Sequence, residues 1–345
     1  MTAPFDVDAF GVRVRVHGTG APAADGALRA AWAGALSTGR GDAEREVHLR
    51  TDEPFDAAME RITVDVTLAA LEARRGRALL FHSGGVADPQ GRVAAFVGPS
   101  GRGKTTLSRE LGTHFGYVSD ETIAVDAEHR VQAYRKPLSL VRDAAPKQQV
   151  SPQQAGLRSL PDAPLRLGTL MILDRADEYQ TPTLEAVSLV EALPELVTQM
   201  SYLCAHAEPL QRIARLCDAV GGVRRLRYAE ASDVVALMPE VFEPSAHAST
   251  WRSWPRQTSA GPFTTDAVSD AIISDGAVVV MVGDRLQVLG GVAPVIWQAA
   301  ATGSDLDAIA EDVVAAYGLP PRGDVRDLVG EALEQLLEAG ALNRR

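Results

Sequence analysis

The run Gly98-Pro99-Ser100-Gly101-Arg102-Gly103-Lys104-Thr105 constrains this chain more than any other stretch. It fits the pattern G-x-x-x-x-G-K-[ST], in which each residue type has a physical task. Glycines let consecutive backbone N–H groups turn inward around phosphate oxygens. Lys104 brings a compact positive charge to the outer phosphates, and Thr105 offers a hydroxyl to Mg2+. A helix starting near Lys104 adds the positive end of its dipole. Gly98, Ser100, Gly101, Arg102, Gly103, Lys104, Thr105 and Thr106 are therefore the candidate nucleotide-binding residues. The flanks agree. Val93-Ala94-Ala95-Phe96-Val97 is apolar, as a buried strand should be. Thr106 to Leu111 can continue as helix, and Gly112 can end it.

The rest of the chain has to supply a fold around that loop. Its 345 residues suffice for two or three domains of about 150 residues each. Strands Ala78-Leu79-Leu80-Phe81, Val93 to Val97 and Leu170-Met171-Ile172-Leu173 alternate with helical segments, which points to an α/β core over residues 79–242. Residues 1–78 read as an α+β subdomain. They hold the alternating strand Val12 to Val16 and a helix from Ala57 to Arg75, with apolar Met59, Ile62, Val66, Leu68 and Leu71 at helical spacing. Residues 243–267, rich in Pro, Ser and Thr, read as a linker. His247, Trp251 and Trp254 are interspersed there, and the tryptophans imply that the segment packs on something.

Residues 268–345 read as a separate small domain. Ala271 to Ile273, Val278 to Val282 and Arg285 to Leu289 form strands, with a hairpin turn at Gly283-Asp284. Three helices follow. Pro294 suits a first helical position, Gly303 a C-terminal cap, Ser304 an N-cap, and Gly318 a stop. The third helix carries a clean stripe from Val325 to Leu337. Strands followed by three helices resemble a winged helix-turn-helix, yet this stretch has a surplus of acidic residues that would repel a phosphate backbone.

Charge and cysteine usage exclude further classes. The net charge of −11 argues against a nucleic acid partner. The densest basic run, Arg224-Arg225-Leu226-Arg227, reads as a strand with a solvated edge. No apolar run approaches the ~20 residues of a membrane span, and no secretory signal is visible. Cys204 and Cys217 fall in one predicted helical region, Cys204 in its core, which suits a reducing cytoplasm. Together with His206 they lack the paired spacing of a zinc site.

Two resemblances accompany these motifs. Phe81-His82-Ser83-Gly84-Gly85, the phosphate loop, Tyr117-Val118-Ser119-Asp120-Glu121 and Arg135-Lys136-Pro137-Leu138-Ser139-Leu140 follow one another as in the HPr kinases. The chain resembles in particular the kinases related to them in bacterial peptide-modification clusters. Residues 268–345 are similar in pattern to the PqqD family, which binds leader peptides. The resemblance implies a phosphate-loop core of the HPr kinase and PEP carboxykinase type, using ATP and Mg2+. It also implies a precursor peptide as partner, its leader adding to the hairpin 271–289 beside the helix 325–338. A homo-oligomer is left open.

The residues themselves allow a phosphotransfer centre. Asp120 ends a short strand sixteen positions after Lys104, where a carboxylate can bind Mg2+ or take the proton of an attacking hydroxyl. Glu121 stands where the resembling kinases carry a second aspartate. The resemblance places His82 near the transferred phosphate and makes Lys136 the basic element that could clamp it, with Arg135 and Arg142 as lesser candidates. Asp174, at the end of an apolar strand, rivals Asp120 for the metal. The expected activity is phosphorylation of a peptide hydroxyl, serine before others. Its alternatives are a non-catalytic ATP-binding peptide chaperone and a small-molecule kinase.

Overall fold

Alternating burial sets the start of the fold. Phe5–Ala9 (β1) and Val12–His17 (β2) bury every second residue and pair antiparallel. The turn between them, Phe10-Gly11, has positive φ at both residues, the primed geometry that matches strand twist. The computed structural model describes residues 3–39, 41–140, 148–245, 249–255 and 260–345. It divides into two units. The first is Met1–Val187 with Thr198–Tyr202 and Val220–Ala246; the second is Ser188–Val197, Leu203–Ala219 and His247–Arg345. The division crosses the expected boundaries because two segments of the expected core pack with the C-terminal strands instead.

In the first unit, Arg45–His48 (β3) joins β2 in parallel. Helices Pro22–Ala31 (α1) and Phe55–Arg74 (α2) complete this layer. Helix α2 lies within two residues of expectation, but its apolar residues divide between two faces. Met59, Ile62 and Val66 join the core, whereas Leu68, expected with them, is 55% exposed. Leu71 is partly buried against that core.

Seven short strands continue the chain: Leu79–Phe81 (β4), Ser83–Ala87 (β5), Arg92–Val97 (β6), Gly116–Ser119 (β7), Ile123–Val125 (β8), Val131–Gln132 (β9) and Leu138–Leu140 (β10). Helix Lys104–Gly112 (α3) follows β6. Then come Gln148–Val150 (β11), Arg166–Arg175 (β12), Thr183–Val187 (β13), Met200–Ser201 (β14) and Val223–Tyr228 (β15). The main sheet has the order β13-β15-β12-β6-β5-β7; β12 pairs in parallel with β6 and with β15, and the remaining pairings are antiparallel. A smaller sheet runs β14-β4-β8-β9, and β10 pairs with β11. Helix α3 lies tight on β5 because Gly84 has no side chain: a Cβ there would stand 2.2 Å from Ser108 Oγ and 2.4 Å from Phe96.

The basic run is a correction. Arg224 to Arg227 lies in β15, an inner strand between β13 and β12 rather than a solvated edge. Arg224 is buried, and its guanidinium donates to Thr169 Oγ1 at 2.6 Å and to the carbonyls of Val241 and Glu240. Those carbonyls end the short helix Met238–Phe242, where acceptors are left over. Arg224→Met should lower unfolding free energy by about 2–4 kcal/mol, because buried carbonyls lose their donor. Chemical denaturation at neutral pH measures this; a change below about 0.5 kcal/mol would show that water replaces the guanidinium.

The second unit holds helices Leu189–Val197 (α4) and Pro209–Ala219 (α5) and strands Trp251–Ser253 (β16), Phe263–Thr264 (β17), Val268–Ser274 (β18), Ala277–Val282 (β19) and Arg285–Leu289 (β20). Helices Ala293–Thr302 (α6), Leu306–Tyr317 (α7) and Val325–Glu338 (α8) and strand Asn343–Arg344 (β21) complete it. The sheet order is β16-β18-β19-β20, all antiparallel, and β17 pairs with β21. Helix α4 packs against β20. Trp254 meets Trp297 edge to face at 5.3 Å, so the described part of the Pro/Ser/Thr-rich segment is built into this unit. Asp305, not Ser304, caps α7, accepting from Ala308 N–H at 3.0 Å. Gly303 and Gly318 end their helices with positive φ. The cysteines fall in two elements: Cys204 is exposed in a short 3-10 turn, and Cys217 is buried in α5. Among the described residues no helix is long and apolar enough to cross a membrane.

Candidate active site

The site forms where two chain segments leave one sheet for the other. Strand β4 belongs to the small sheet and β5 to the main one, so the chain switches sheets at His82. Strand β7 belongs to the main sheet and β8 to the small one, so it switches again at Asp120-Glu121-Thr122. Because β5 pairs with β7 and β4 with β8, the two crossings lie side by side. The His82 N–H donates to Gln199 O at 2.7 Å, and Ser83 N–H to Glu121 O at 3.2 Å. Ser119 Oγ accepts from the N–H groups of Glu121 and Thr122, at 3.1 and 3.2 Å, which shapes the turn carrying the carboxylates.

The phosphate loop faces this crossing. It connects β6 to α3, with Gly101 and Gly103 at φ of 83° and 86°, where side chains with a Cβ are strained. Lys104 folds back over the loop and donates to the carbonyls of Gly98 and Pro99. Ser100, Gly101, Gly103, Lys104, Thr105 and Thr106 line a cleft of about 450 Å³, and His82, Asp120, Glu121 and Lys136 line it too. Gly98 lies below the Lys104 ammonium. Arg102 reaches out of the cleft to the Arg175 carbonyl at 3.3 Å.

Charges on the carboxylate wall are arranged in a chain. Asp120 is buried, and its Oδ1 accepts from Tyr117 O–H at 2.9 Å. Lys136 Nζ stands 3.4 Å from Asp120 Oδ1 and 3.4 Å from Glu121 Oε2. Burial opposes the charge of Lys136, but the two carboxylates outweigh it and its pKa rises, so it stays an ammonium ion. Burial, and then the charge of Lys104, push the His82 pKa down against the pull of Glu121, whose Oε1 is 4.0 Å from Nδ1. His82 is therefore neutral at neutral pH and able to accept a proton or share one.

The rival carboxylate is placed elsewhere. Asp174, near the end of β12, accepts from Tyr179 O–H at 2.9 Å and from Arg227 Nε at 3.2 Å, and does not line the cleft. Its neighbour Arg175 does line it. Arg135 is buried and donates to the Arg158 carbonyl at 3.1 Å, away from the cleft wall. Arg142 lies outside the described residues. Arg109 and Ser139 line the cleft without having been singled out in the sequence. Arg109 follows Thr105 by one helical turn and could have been found by that spacing. It donates to the Ser139 carbonyl at 2.7 Å, and its buried Nε has no partner among the described residues.

No family model matches the chain, and no curated protein matches it. Among solved structures it is similar to an Hpr(Ser) kinase/phosphatase from Coxiella burnetii, with 10% identity over 47% of this chain and 92% of that one and a TM-score of 0.28. What the cleft can do therefore rests on its own residues.

Proposed function

We propose that the chain is a kinase that moves the terminal phosphoryl group of ATP to a hydroxyl of a peptide, serine before other acceptors. The observation that carries this reading is the buried Asp120 carboxylate, held by Tyr117 and Lys136 across the cleft from the phosphate loop.

The residues present fit ATP and Mg2+. The space that a Cβ at Gly101 would enter is open, with nothing within 4 Å, so the loop backbone is approachable. Thr105, Asp120 and Glu121 offer the hard oxygen donors that Mg2+ prefers and would hold it. Bound Mg2+ would neutralise charge on the phosphates. Loop N–H groups would grip the phosphates, and Lys104 would exchange the Gly98 and Pro99 carbonyls for phosphate oxygens. Asp120 takes the proton of the acceptor hydroxyl as its oxygen bonds to the terminal phosphorus. The bond from that phosphorus to the bridging oxygen breaks, and ADP leaves with the electron pair. Lys136 keeps Asp120 oriented, and His82 supplies a neutral imidazole beside the reacting groups.

A peptide acceptor is favoured by the second unit. Strand β20 bonds a strand on one side only among the described residues, and Leu328 on α8 is exposed. A leader segment adding as a strand at 271–289 and resting on 325–338 would raise the local concentration of the acceptor residue. The acidic surplus of this unit disfavours a nucleic acid there. The test is incubation of the full chain with ATP, Mg2+ and precursor peptides encoded beside its gene. A mass gain of about 80 Da, one phosphoryl group, is expected. A peptide that binds yet gains no mass, with no ADP formed, would sink the reading.

A further inference from the structure

The active-site cleft does not end at its carboxylates. Glu121, Lys136 and Ser139 line it, and the same three residues line a second cavity of about 300 Å³. The outer wall of that second cavity is helix α2. Val64, Leu68 and Leu71 fall on one face at four- and three-residue spacing, and all three line the cavity. Val64 is 51% and Leu68 55% exposed. The same helix buries Met59, Ile62 and Val66 in the core and rests Leu71 against it, so Val64 and Leu68 are the apolar residues of this face that the core does not explain. Thr63 and Thr67 lie between the two faces, but their hydroxyls are engaged. Thr63 donates to Met59 O at 3.1 Å, Thr67 donates to Thr63 O at 2.8 Å, and Tyr134 O–H lies 2.8 Å from Thr67 Oγ1. The wall therefore offers apolar contact at Val64, Leu68 and Leu71 beside the carboxylate of Glu60, and its inner end offers Glu121, Lys136 and the Ser139 hydroxyl.

The geometry points to this groove as the acceptor subsite. In this role it takes the stretch of peptide that carries the phosphorylated serine, with an aliphatic side chain next to that serine resting on Val64 and Leu68. The proposal rests on the kinase reading. In-line transfer needs donor and acceptor oxygens on opposite sides of the phosphorus. The phosphate loop lines the first cavity and not the second, whereas Glu121 lines both, so the α2 groove is an approach to Glu121 that the loop does not occupy. Continuity through Glu121, Lys136 and Ser139 means that a chain lying in the groove brings its hydroxyl to Glu121, where the active-site cleft that holds Asp120 begins. A volume of about 300 Å³ suits an extended segment with one or two side chains, not a folded surface. Specificity for the residues around the serine thus lies in the N-terminal layer, separate from any capture of a leader by the second unit.

The experiment uses short fluorescein-labelled synthetic peptides with one central serine flanked by leucine, glutamate or lysine. They are titrated against the full chain with a non-hydrolysable ATP analogue present, and parallel samples with ATP and Mg2+ are read for phosphoserine. The wild-type chain should bind the leucine peptide about tenfold more tightly than the glutamate one, as burial of an aliphatic side chain allows. Val64→Glu with Leu68→Glu should erase that preference, and Val64→Lys with Leu68→Lys should turn it toward the glutamate peptide, with affinity for the ATP analogue within about twofold in both. Both sites are exposed, so these changes spare the core. Absence of peptide binding, or the same preference in wild type and variants, overturns the subsite. A dimer that dissociates in the variants while peptide preference stays unchanged does so too, since the face would then be a contact between copies. Altered preference without phosphoserine keeps the subsite and overturns the kinase reading.

Discussion

Lys104→Ala should lower phosphoryl transfer by about a hundred- to a thousandfold, the usual loss when one preorganised electrostatic partner of the transferring group is removed. Among the described residues its ammonium donates to the carbonyls of Gly98 and Pro99, and burial lowers its pKa against the opposing pull of Glu121. A cation placed where its partners are two loop carbonyls is held ready for a stronger acceptor, and phosphate oxygens are that acceptor. Removing it should leave the fold intact, because Lys104 lines the open cleft and Pro99 is exposed, so water can replace the amine. The readout is ADP formation under saturating ATP and acceptor, alongside thermal unfolding. A variant that melts like the wild type and turns over at the wild-type rate would remove the phosphate loop from catalysis.

Asp120→Asn should cost more, about a thousand- to ten-thousandfold in rate, at the upper end of what a positioned general base supplies. The amide oxygen can still accept from Tyr117 O–H, so the side chain should stay in place while losing both its charge and its basicity. Glu121→Gln should cost less, since Glu121 is more open and lacks the Tyr117 bond. If the order of the two is reversed, Glu121 is the base. The substitution also has an alkaline consequence. Lys136 has its pKa raised above its ordinary 10.5 by Asp120 and Glu121, despite burial. A folded-state pKa raised above the unfolded one gives stability that is complete below pH 10.5 and fades as pH climbs through the folded value. Removing the Asp120 charge lowers that folded value. Stability against denaturant should then begin to fall at a lower alkaline pH in Asp120→Asn than in the wild type. Coincident alkaline limbs would mean that Lys136 answers mainly to Glu121.

Much of the site was legible residue by residue, and the failures share one cause. Arg224 read as solvated because a basic run in isolation is cheapest in water; its burial depends on a helix end arriving from residues 238–242 with carbonyls to satisfy. Leu68 read as core because helical period assigns a face but not the number of faces that find partners. Cys204 read as lying in a helix core, whereas the local turn is 3-10 and leaves the residue exposed. Ser304 and Asp305 are equally good caps by composition, and only the chain direction entering α7 chose between them.

By itself the sequence determined what is built from consecutive residues. These are the strand, loop and helix around Gly98 to Thr105, the length of α2, the hairpin strands of the second unit and the glycines that end its helices. Short-range sterics and hydrogen bonding suffice for each of these. Only the tertiary structure decided which carboxylate faces the phosphate loop. Asp120 and Asp174 each lie near the end of an apolar strand, and nothing local separates them. Pairing of β4 with β8 and of β5 with β7 sets Asp120 beside His82 and Glu121, within reach of Lys136. Pairing of β12 with β15 sets Asp174 against Arg227 instead. Strand register between distant segments chooses the neighbours of a charge, and the neighbours decide whether that charge is structural or free to act on a ligand.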